Sequence, residues 1–117
     1  MKNLIFAGIF ALLCFSSCED DQATIRIKNS VQNVKLTNIR FGKVYIGHSL
    51  LPGQSEDYTI SEEVNDITFP MREQIEFIME KGDKQVFLRT QEVFQLNKDE
   101  TLFVEITDNT KVVNLME

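Results

Sequence analysis

From Ala23 onward the chain alternates apolar and polar residues with period two, in short stretches that turn residues interrupt. Successive side chains of an extended strand point to opposite faces, so the pattern predicts half-buried β-strands. Ala23 to Lys28 sets Ala23, Ile25 and Ile27 against Thr24, Arg26 and Lys28, and Asn29-Ser30 ends the alternation. Val34 to Phe41 begins with Val34 and Leu36 on one parity and finishes with Ile39 and Phe41 on the other. A β-bulge near Thr37-Asn38 would reconcile the two. After Gly42 a brief strand, Val44-Tyr45-Ile46, leads through Gly47-His48-Ser49 to Leu51-Pro52-Gly53-Gln54, where Pro then Gly suits the central positions of a type II turn. Short strands are expected over Asp57 to Ile60 and Ile67 to Phe69. The second should end at Pro70, which cannot donate a ladder hydrogen bond.

The hairpin from Ile75 to Thr90 is the best-determined element. Gly82-Asp83 lies between two alternating runs as a two-residue loop with Gly first, the preference of a type II′ turn, and this fixes the register. Counting outward, Met79 faces Val86 and Phe77 faces Leu88 on one side of the ribbon, which reads as core. Ile78 faces Phe87 and Glu76 faces Arg89 on the other. One residue of slip would bury Glu76, Glu80 and Arg89, so burial enforces this register. Thr101 to Thr107, with Leu102, Val104 and Ile106 on one face, and Lys111 to Leu115 are expected to close the domain as a hairpin around Asp108-Asn109. Val113 would then oppose Val104, and Leu115 would oppose Leu102. No window after the first residues carries a capped 3.6-residue periodicity, so helix should be nearly absent. Seven or eight short strands in about a hundred residues predict an all-β, two-layer β-sandwich of immunoglobulin-like or transthyretin-like topology.

The first residues follow another rule. Lys2 precedes an unbroken apolar run, Leu4 to Phe15, and Ser16-Ser17-Cys18 come next. A helix of about twelve residues is roughly 18 Å long, against the ~30 Å of a hydrocarbon core, so the run reads as an export signal helix and not as a span. Leu12 to Cys18 resembles the lipobox of bacterial lipoproteins. It has Phe15 where an aliphatic residue usually stands, a departure that the relaxed lipoboxes of the Bacteroidota accommodate. The resemblance implies a signal peptide over 1–17, acylation of Cys18 (palmitate among the chains), and a permanent membrane anchor. Glu19-Asp20-Asp21 resembles the acidic surface-export signal of the same phylum's lipoproteins, which implies display on the outer face of the outer membrane. Read without that resemblance, 18–22 is a solvated tether and a periplasmic orientation stays open. The segments Ile25 to Ser30, Leu36 to Ile39 and Leu51 to Ser55 also resemble the opening of small β-sandwich lipoproteins from that phylum. Residues 23–117 are expected to form one domain.

Removal of 1–17 and acylation of Cys18 would leave no thiol for a disulfide, so packing must stabilise the domain. The mature chain would carry 11 bases against 18 acids, a balance of −7, with no basic run. That composition argues against nucleic acid as a partner and against docking on anionic lipid except through the anchor.

Candidate chemistry is sparse. His48 is the one histidine, and Ser49, Ser55 and Asp57 lie near it in sequence, but there is no Gly-x-Ser-x-Gly context and a solvated loop histidine is expected. One histidine and no free cysteine make no zinc set. Ser61-Glu62-Glu63-Val64-Asn65-Asp66 concentrates oxygen ligands without the spacing or glycine of an EF-hand, and reads as a solvated turn. The isolated glycines form no phosphate loop. The expectation is a non-enzyme without cofactor, metal or small-molecule substrate. The one residue-level lead is outward parity: Ile78, Phe87 and Phe103 would form an apolar partner patch if adjacent, for a protein partner or a homodimer. The function expected is a non-catalytic binding or accessory module of the cell envelope, with a periplasmic inhibitor or immunity-type lipoprotein as the alternative.

Overall fold

The computed structural model describes residues 21–116. The expected signal segment, Cys18, Glu19 and Asp20 lie outside the described residues. Ten strands and one helical turn follow in order: β1 (Gln22–Asn29), β2 (Lys35–Phe41), β3 (Val44–Leu50), β4 (Ser55–Ser61), α1 (Glu62–Asn65), β5 (Met71–Glu73), β6 (Ile75–Lys81), β7 (Lys84–Thr90), β8 (Phe94–Leu96), β9 (Thr101–Ile106) and β10 (Val112–Asn114). The count exceeds the expected seven or eight because β5, β8 and β10 are three-residue pieces. No helix among the described residues is long and apolar enough to cross a membrane.

The strands form two sheets and a ribbon. One sheet has three strands in the order β4-β1-β9, the other has five in the order β10-β7-β6-β2-β3, and β5 pairs with β8. β1 runs antiparallel to β4 and parallel to β9, while every pair in the five-stranded sheet is antiparallel. An immunoglobulin order would put the second strand beside the first. Here β2 lies in the opposite sheet, which leaves the transthyretin-like alternative.

Alternation builds the core between the sheets. Ala23, Ile25 and Ile27 of β1, Ile60 of β4, and Val104 and Ile106 of β9 face Leu36, Ile39, Phe41, Val44, Ile46, Leu50, Ile75, Phe77 and Leu88 of the other sheet, in one continuous cluster. Both parities of Val34 to Phe41 are buried because the ladders change register, against β6 between Thr37 and Arg40 and against β3 between Ile39 and Arg40, with Asn38 at φ 49°. That is the expected bulge, at its expected place on the β6 side. The Ile75–Thr90 hairpin holds the expected register at every pair from Glu76↔Arg89 to Lys81↔Lys84, around Gly82 at φ 60°. A β-carbon at Gly82 would meet nothing within 4 Å, so Gly82→Ala should cost only the positive-φ strain, about 1 kcal/mol or slightly more, read as a small shift of the urea midpoint.

Four local expectations are corrected. Asn29 does not leave the strand for a turn: it completes the inward row of β1 and is fully buried. Gly47-His48-Ser49 continue β3 to Leu50. Ile67 to Phe69 form no strand, because Asp66 turns the chain at φ 55° and the Phe69 amide is held by the Glu62 carboxylate, so pairing resumes only at Met71. The closing hairpin does not exist either. β9 lies against β1 in one sheet and β10 against β7 in the other, Val113 facing Arg89 and not Val104. A turn at Thr107–Thr110, closed by Thr110 Oγ1 accepting from the Thr107 amide and Thr107 Oγ1 accepting from the Asn109 amide, carries the chain between layers.

Candidate functional site

The outer face of the five-stranded sheet is assembled from rows of cross-strand neighbours. One row runs Tyr45, Arg40, Glu76, Arg89, Val113, each paired with the next across β3, β2, β6, β7 and β10. The next runs Ser49, Thr37, Ile78, Phe87, and is extended by Leu115, whose amide donates to the Phe87 carbonyl. Register therefore dictates which side chains meet, and the two-residue loop at Gly82-Asp83 dictates the register.

Electrostatics organise the first row. The Glu76 carboxylate lies between two guanidinium groups, hydrogen-bonded to Arg40 and 3.8 Å from Arg89. The Arg40 guanidinium also sits 5.8 Å from the centre of the Tyr45 ring, within cation–π range. Beyond the second row Glu80 accepts from Thr37 and Gln85 and lies 3.6 Å from Lys35. Glu76 thus balances one of its two guanidinium neighbours, and the Arg89 Nε is buried without a hydrogen-bond partner. The apolar groups of the two rows are open: Tyr45 is 55%, Phe87 43%, Val113 39% and Leu115 39% exposed, and Ile78 is half-buried. Asn38, Arg40, Tyr45, Glu76, Ile78, Phe87 and Leu115 line a shallow groove of about 230 Å³ on this face.

The sequence-derived patch is therefore split. Ile78 and Phe87 are brought together as expected, but Phe103, 54% exposed, lies on β9 in the other sheet and belongs to a different groove. Tyr45, Arg40 and Leu115 take its place. Tyr45 stands between the inward Val44 and Ile46 of β3, and only the strand order, which one sequence does not contain, places it on the groove with Phe87.

The remaining candidate groups are structural in their geometry. Asp21 is tied to the domain, its carbonyl accepting from the Glu62 amide and its carboxylate lying 3.9 Å from Lys98. His48 and Ser49 are exposed on β3, while Ser55 and Asp57 stand on β4 of the opposite sheet. Asp57 makes a two-pronged contact with Arg26, at 2.6 and 2.9 Å, and this hydrogen bonding holds its carboxyl below the usual range and raises the Arg26 guanidinium. Both groups are open to solvent, so the pair contributes little to stability. What it does contribute is present above the ordinary carboxylate pKa and fades as pH falls through the lowered one. Ser61 to Asp66 wraps into the α1 turn: Ser61 Oγ accepts from the Val64 amide, Asn65 Oδ1 from the Ser61 amide and Glu62 Oε2 from the Phe69 amide. Three of the oxygens that could have met a cation are committed to backbone. Among the described residues no group of three or more His, Cys, Asp or Glu side chains is placed to hold a metal ion.

No family model matches the chain, and comparison with curated proteins and with solved structures gave no match.

Proposed function

We propose that this chain is a non-catalytic binding module, lipid-anchored to the outer membrane through Cys18 and displayed on the cell surface, which engages a protein partner through the outer face of its five-stranded sheet. The observation that carries the reading is the cluster of Tyr45, Ile78, Phe87 and Leu115 around the Arg40–Glu76–Arg89 row. Tyr, Phe and Arg are what the centres of protein interfaces concentrate, and with one carboxylate between two guanidinium groups the row keeps a positive charge for an acidic group of the partner. Carbohydrate fits less well, since the chain has no tryptophan to stack on a sugar ring.

The anchor supports the same reading. Asp21, whose carbonyl accepts from the Glu62 amide, is three residues after Cys18, and three residues span at most about 10 Å, so an anchor at Cys18 would hold the domain close to the bilayer surface. Glu19 and Asp20, with Asp21, supply the acids that favour surface display. Metabolic labelling with a palmitate analogue tests the anchor: wild type should take up label and Cys18→Ala should not, and equal labelling would overturn it. For the binding face, a Tyr45→Ser/Phe87→Ser double variant should keep an unfolding free energy within about 1 kcal/mol of wild type, as expected of exposed positions. Extracted from membranes in mild detergent, it should lose the protein that co-purifies with wild type. Retention of that protein by the folded variant would contradict the proposed face.

A further inference from the structure

The two layers of the sandwich differ by two strands, and the difference falls on one side. β4 follows β3 through the Leu51–Gln54 turn, so those edges lie together, and at the other side the three-stranded sheet stops at β9 while the five-stranded sheet continues to β7 and β10. The overhanging inner surface is incompletely covered: Met79, Val86 and Val112 are only partly buried. The Thr107–Thr110 turn crosses this opening and divides it. Toward Phe94 it leaves a groove of about 350 Å³ along β9, whose walls include Thr90, Phe94, Phe103, Glu105 and Lys111.

β9 itself is an unpaired edge among the described residues. The Glu100 and Ile106 carbonyls accept from the Thr24 and Ser30 amides of the β1 side, so the even-numbered residues of β9 direct their backbone groups at β1. Strand alternation then turns the N–H and C=O groups of Thr101, Phe103 and Glu105 toward the groove. Natural edges are usually blunted by charge, brevity or proline. β4 carries Glu56 and Asp57, β10 is three residues long, and β3, though uncharged, lies against β4 where the two sheets meet. Thr101-Leu102-Phe103-Val104-Glu105-Ile106 has four residues of strong strand propensity, Thr101, Phe103, Val104 and Ile106, and a single charge, already hydrogen-bonded to Ser30 at 2.6 Å.

We infer that the β9 edge is an acceptor for strand addition: an extended segment of a partner polypeptide pairs with Thr101, Phe103 and Glu105 and seats alternate apolar side chains in the groove beside Phe94. The overhang selects this occupant. A second copy joined edge to edge through β9 would bring its own five-stranded layer into the space that β7 and β10 occupy, whereas a single strand fits over them. Glu105 favours a cation opposite it on the outer face of the added strand. This site is separate from the face carrying Phe87 and stands or falls independently of it.

The probe is a capped heptapeptide of alternating lysine and valine, titrated into the protein and followed by amide shifts and hydrogen exchange. Saturable changes centred on Thr101 to Glu105, with slowed exchange at the Phe103 and Glu105 amides, are expected. N-methylation of the peptide on its pairing edge should weaken binding at least about tenfold, since it removes two or more hydrogen bonds. Phe103→Pro should fold, because the N–H it deletes faces away from β1, and should bind about as weakly. No change at Phe103 at millimolar peptide, equal binding of the N-methylated peptide, or a β9-mediated dimer by ultracentrifugation would each overturn the inference.

Discussion

Asn29→Ala is expected to destabilise the domain by about 3–5 kcal/mol, as much as emptying a large core site, although no apolar contact of consequence is lost. Asn29 is fully buried where β1 ends, and its amide group donates to the Val34 and Leu50 carbonyls at 2.8 and 2.9 Å while its oxygen accepts from the Val31 amide at 2.9 Å. One side chain thus ties the three-stranded sheet to the loop before β2 and to the end of β3. Alanine would strand three buried backbone groups, each costing about 1–3 kcal/mol when left unpaired, offset in part by local relaxation and water entry. Chemical denaturation monitored by far-ultraviolet circular dichroism measures the loss. A drop below about 1 kcal/mol would mean that water replaces the amide without cost and that the two sheets are not joined through Asn29.

The second large effect is a contrast between two phenylalanines on one hairpin. Phe77 is 2% exposed and Phe87 is 43% exposed, though they are ten residues apart and on adjacent paired strands. Phe77→Ala should cost about 3–5 kcal/mol, a large share of the ~5–15 kcal/mol that holds a domain together, and leave the protein close to unfolding. Phe87→Ala should cost about 1 kcal/mol or less. Equal destabilisation by the two would make Phe87 a core residue and remove the binding face with it.

What the sequence made legible depended on how local its determinants were. The Ile75–Thr90 register follows from a two-residue loop and from the burial that a one-residue slip would ruin, both contained in sixteen consecutive residues. The bulge between Thr37 and Arg40 was legible for the same reason, since the change of parity is visible along one strand. The closing hairpin was not. Val104, Ile106 and Val112 show the same inward alternation whether β9 and β10 pair with each other or diverge to β1 and β7, and only the distant partners decide. Asn29 looked like a turn former because polar residues usually are; its burial depends on carbonyls 5 and 21 residues away. Phe103 failed as a patch member for a related reason: outward parity says that a side chain leaves the core, but not on which sheet. Tyr45 and Leu115 came to Phe87 through a strand order that no single segment encodes.

Site-specific photo-crosslinking in intact cells tests the proposed binding face most directly. A benzophenone amino acid placed at Phe87, and separately at Thr59 on the exposed outer face of β4, compares two solvent-facing positions on opposite sheets of the same folded chain. A discrete adduct with one protein from position 87, absent from position 59 and suppressed by Tyr45→Ser in the same chain, is the predicted result. The same adducts from both positions, or none from position 87 while the protein is folded at the membrane, would contradict it.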